Sequence, residues 1–125
     1  MNTNLYAAWV GIFLGCVFGA IQGLFFHKEN WLGGYGSWPR RMLRLGHISF
    51  MGIALINFAF AFTVFAMDIK DGVTLSSWLL IVGAVTMPTV CFASAFKPVF
   101  RHLFFIPALS VICGVWIFLW RILGR

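Results

Sequence analysis

Four long apolar stretches, separated by short polar ones, set the pattern of this chain. The stretches 5–26, 73–96 and 103–120 hold no charged residue, and 45–67 holds none beyond His47. A bilayer core about 30 Å thick is crossed by roughly 20 apolar residues of helix. Each stretch is long enough, the last and shortest if it stands nearly upright. Helix is dictated in all four, because a lone strand leaves backbone groups unpaired in lipid. The first stretch does not read as a signal peptide: no basic segment precedes it, it is long for an h-region, and no small-x-small cleavage site follows. The connectors are 27–44, 68–72 and 97–102, and such short links make sequential helices antiparallel neighbours. The expected fold is therefore a single all-α integral membrane domain, an up-down-up-down bundle of four transmembrane helices.

Composition agrees. Hydrophobic residues make up 62% of the 125 and charged residues 10%, against about 45–50% and 25% in soluble domains. A water-soluble globule of this size lacks the polar side chains to cover itself. Disorder is excluded by 15 Phe and 6 Trp, and three Cys are too few for a disulfide scaffold.

The net charge of +6 would suggest nucleic acid in a soluble protein. Here the basic residues stand at the ends of apolar stretches, which reads instead as membrane topology and contact with anionic lipid. No nucleic-acid partner is expected. Lys28, Arg40, Arg41, Arg44, Lys97 and Arg101 fall on one side, and Lys70, Arg121 and Arg125 on the other. The positive-inside rule then puts connectors one and three in the cytoplasm and both termini outside a plasma (inner) membrane. Trp9, Trp78, Trp116 and Trp120 would form the outer aromatic belt, Trp31 and Trp38 the inner one.

Within the first stretch Gly11, Gly15, Gly19 and Gly23 form a small-xxx-small ladder, a pattern for close helix packing in lipid. Four-residue spacing drifts by about 40° per step on a straight helix, so the ladder wraps. In the second stretch Ser37 can cap a helix with Pro39 in its first turn, so this helix is expected to start at Trp38, before the membrane. Arg40, Arg44 and His47 then share a face that Met51, Ala54 and Phe58 continue. Asn57 is the only amide deep in that helix, and interhelical hydrogen bonding is its expected use. In the third stretch Pro88 removes one backbone hydrogen bond, with Thr86, Thr89 and Ser94 at hand for the freed carbonyl.

No motif for metal-dependent hydrolysis, nucleophilic catalysis or dithiol chemistry occurs. The acids Glu29, Asp68 and Asp71 all lie in connectors, whereas proton-coupled carriers use intramembrane carboxylates. An enzyme is not expected. Candidate chemistry rests on His27, His47 and His102, each at the cytoplasmic end of a different helix. Histidine is the usual axial ligand of b-type haem. With helices two and four diagonal across a bundle, His47 and His102 would face each other, and Arg40, Arg44 and Arg101 at the rim would pair with propionates or another anionic head group. A metal ion held by the three histidines with Glu29 ranks below this.

Three functional expectations follow. The first is an accessory or assembly subunit of a larger membrane complex, respiratory in the fullest version, whose partners are the lipid bilayer and other membrane subunits or a second copy. The second is a haem-binding or other anionic-cofactor protein using the cytoplasmic-side histidines. The third is a homo-oligomeric channel or carrier with Asn57, Thr86 and Thr89 along a polar path.

Overall fold

The computed structural model describes residues 2–125. It contains α1 (Asn2–Phe26), α2 (Trp38–Ala66), α3 (Thr74–Phe96) and α4 (Phe105–Leu123), with short 3-10 helices at Trp31–Gly33 and Pro98–Leu103. No strand occurs among the described residues. All four helices are long and apolar enough to cross a membrane.

Helix α2 begins seven residues before the end of the expected first connector because its cap lies there. Ser37 Oγ accepts from the Arg40 amide at 3.4 Å and donates to the Leu32 carbonyl at 2.7 Å. Pro39 occupies the first turn, where its missing N–H leaves no gap. Helix α3 runs unbroken through Pro88. Thr86 and Thr89 donate to Val82 and Val85, each four residues back. Neither serves Ala84, the residue that loses its amide donor to the proline.

The two inner helices pack most closely on each other. α1 lies along α2, α4 lies along α3, and α1 touches α3 only lightly. At several glycines a neighbouring helix leaves no room for a side chain. A Cβ built on Gly11 would stand 3.0 Å from the Ala54 Cβ, one on Gly15 3.0 Å from the Met51 sulfur, and one on Gly19 2.6 Å from His47 Cε1. Nothing lies within 4 Å of a Cβ on Gly23, as the drift of a four-residue ladder demands: after three steps of about 40° it has left the face. Between α3 and α4 the same role falls to Gly83, set against Val111, and Gly114, set against Leu79 and Leu80. Ser110 Oγ closes that seam with a 2.6 Å bond to the Leu79 carbonyl.

Two apolar clusters fill the interior. Phe60, Val64, Ile69 and Leu80 pack with Phe118 and Val111 of α4, the Phe60 and Phe118 rings meeting edge-on at 4.7 Å. Phe18, Phe50 and Phe92, one from each of α1, α2 and α3, form the other, with centroids 4.9–5.8 Å apart. The end of α4 is tied to the α2–α3 turn: Arg121 donates to the Asp71 carbonyl at 3.0 Å and Arg125 to that of Met67 at 2.9 Å.

Candidate functional site

The buried residues of α1 include Asn4, Ala8, Gly15 and Gln22. They lie on one stripe with a mean spacing close to the helical repeat of 3.6, and polar groups mark both ends of it. At one end Asn4 donates to the Asn57 carbonyl oxygen at 2.7 Å and accepts from the Ser77 hydroxyl. Asn57 in turn donates to the Ile53 carbonyl at 3.0 Å and towards that of Leu80 at 3.4 Å. Asn4 and Asn57 are wholly buried, and this neutral network joins α1, α2 and α3. At the other end Gln22 donates to the Leu43 carbonyl at 2.9 Å.

Beyond Gln22 stands Arg40, only 2% exposed. The sequence placed it at the rim with a free guanidinium. The structure turns it inward instead, onto carbonyls at and just past the end of α1. Arg40 Nη2 donates to Phe26 O at 3.3 Å and Nη1 to Lys28 O at 3.4 Å. Its guanidinium lies over the rings of Phe26, Trp31 and Tyr35, at 4.9, 5.6 and 5.8 Å from their centroids. Arg40 Nε has no hydrogen-bond partner. Arg44 sits 4.1 Å over the same Tyr35 ring and donates to the Tyr35 carbonyl at 2.9 Å.

The three histidines do not converge. His47 is wedged against Gly19 of α1, with Nδ1 buried and unpartnered. His102 is exposed in the Pro98–Leu103 turn, which packs on α3 and α4. His27 is exposed just past the end of α1, and Arg101 is exposed beside His102. α2 thus presents His47 to α1, whereas the expected pairing needs it turned towards His102. Among the described residues no group of three His, Cys, Asp or Glu side chains is placed to hold a metal ion. Of the residues expected along a polar path, Asn57 is closed into the network joining α1, α2 and α3, and Thr86 and Thr89 each bond a carbonyl of their own helix.

Between α1 and α3, where they stand apart, runs a cavity of about 310 Å³. Its walls include Ala7, Gly11, Ala54, Ala84 and Pro88, and Phe50 and Phe92 stand among its lining residues. Thr89 also lines it, and the carbonyl of Ala84 lacks the amide that Pro88 cannot supply.

Asn4 and Gln22 were not singled out from the sequence. Asn4 precedes the apolar stretch 5–26, and Gln22 falls between the regularly spaced Gly19 and Gly23. Drawing the ladder at 3.6 rather than 4.0 residues connects both to it.

No family model, curated protein or solved structure matches this chain.

Proposed function

We propose that this chain is a small multi-pass accessory or assembly subunit of a larger membrane complex, and that the α1–α3 groove receives a transmembrane helix of that complex. The observation that carries this reading is the groove itself. Helices associate in lipid where small residues let backbones approach. Ala7, Gly11 and Ala84 supply such small residues along its walls, and the Ala84 carbonyl, left without its amide donor by Pro88, offers a backbone acceptor for a partner's Ser or Thr hydroxyl. The ladder glycines hold α1 against α2 and keep the groove's far wall in place. In this reading the chain runs up-down-up-down through a plasma (inner) membrane with both termini outside, following the six-to-three distribution of basic residues. Four polar side chains serve cohesion: Asn4, Asn57, Ser77 and Ser110 all bond across helices.

Native mass analysis of the protein extracted gently from its own membrane tests this. The expected result is a complex with a defined partner that is lost in Ala84→Leu, which fills the groove, and kept in Ile112→Ala, on the exposed face of α4. A lone monomer, or a partner retained equally by Ala84→Leu, would contradict it.

A further inference from the structure

The Arg40 end of the bundle is electrostatically unfinished. A buried charge is tolerated when it is paired and its hydrogen bonds are satisfied. Arg40 is 2% exposed, yet its two bonds are long, at 3.3 and 3.4 Å, both go to neutral carbonyls, and Nε has no acceptor. No carboxylate answers it. Among the described residues the one side-chain ion pair is Lys70–Asp68, in the turn between α2 and α3. Instead a second cation converges: the Arg40 and Arg44 guanidiniums lie 5.8 and 4.1 Å from the centroid of one Tyr35 ring. Lys28 and Arg41 flank them, over Phe25 and Trp38. Like charges held on one ring repel, and the aromatic faces offset only part of that.

The geometry points to a binding site for a phosphate group at Arg40, Arg44 and Tyr35, at the membrane interface beside the end of α1. Guanidiniums match phosphate oxygens with paired N–H donors. Arg44 is half-buried and within reach of a headgroup, and Arg40 stands behind it as a fixed charge with a free Nε–H. Tyr35 is 70% exposed, so its ring covers the pair from the surface and can yield to a ligand. The segment that carries it turns through Leu32, Gly33 and Gly34 at φ of 52°, 88° and 100°. This closes the 27–37 stretch over Arg40 rather than away from it. The phosphate can belong to an anionic lipid headgroup or be free in solution.

The test reconstitutes the full chain in phosphatidylcholine vesicles alone, in the same vesicles with phosphatidic acid added, and in phosphatidylcholine with inorganic phosphate in the buffer. Binding is read as the shift in unfolding midpoint and as the part of the tryptophan fluorescence change that Trp31→Phe removes, since Trp31 lies against Arg40. A shift only with phosphatidic acid assigns a lipid, and one with inorganic phosphate assigns a soluble ligand; either supports the site. Arg44→Gln should weaken binding about tenfold, the worth of one charge-assisted hydrogen bond. Arg44→Lys should recover part of it, and Arg125→Gln, on the far end of the bundle, should leave it unchanged. No shift with either probe overturns the site, as does a shift that Arg44→Gln and Arg125→Gln reduce equally. Arg44 rather than Arg40 carries the test because Arg40 also caps α1.

Discussion

The two ends of the α1–α2 seam handle buried polarity in opposite ways. At Asn4, Asn57 and Ser77 the groups are neutral and close on one another and on nearby carbonyls. At Arg40 the group is charged and its hydrogen bonding is left incomplete. In lipid an unsatisfied polar group costs free energy that water does not offset, so the closed network is a fastener. The open one is a place where something from outside the chain completes the bonding. Between them the seam is made of close approach at Gly11, Gly15 and Gly19.

This contrast can be broken or sharpened in order of effect. Gly19→Leu acts on the seam that joins both ends: its side chain has no room beside the His47 ring. Overpacking of this kind costs about 1–3 kcal/mol, so denaturant titration in detergent should show the largest loss, and Gly23→Leu, which faces open space, should show almost none. Asn57→Leu opens the neutral network. Interhelical hydrogen bonds in membranes are worth about 0.6–2 kcal/mol, and the same titration should show a loss in that range, shared non-additively with Asn4→Leu because the two residues bond directly. Arg40→Met should cost less than Asn57→Leu in neutral lipid, because the carbonyl bonds it loses are long and an uncompensated charge leaves with them. The smallest effect belongs to Leu32→Gly. It relieves a left-handed residue worth about 1–2 kcal/mol but adds chain entropy of about 0.5–1 kcal/mol. A gain of a few tenths of a kcal/mol is expected by thermal unfolding.

The membrane spans were legible because a run of apolar residues has one stable form in lipid; helices α1 to α4 differ from the expected spans mainly at their caps. The start of α2 at Trp38 was legible too, from Ser37 and Pro39. What stayed hidden was which helix each face meets. His47, Met51 and Ala54 were seen to share a stripe, but sequence periodicity does not say that this stripe lies on Gly19, Gly15 and Gly11 rather than towards α4. The inward turn of Arg40 was hidden for a related reason. It depends on where α1 ends in space, with the carbonyls of Phe26 and Lys28 within reach, and that is a tertiary fact.

The central claim is that the α1–α3 groove seats a helix of another protein, and a photo-reactive residue at position 84 tests it most directly. Irradiated in the native membrane, this position should yield one discrete protein adduct that Ala7→Leu abolishes, while the same residue at position 112 on α4 labels lipid. Lipid labelling alone at both positions would contradict the account.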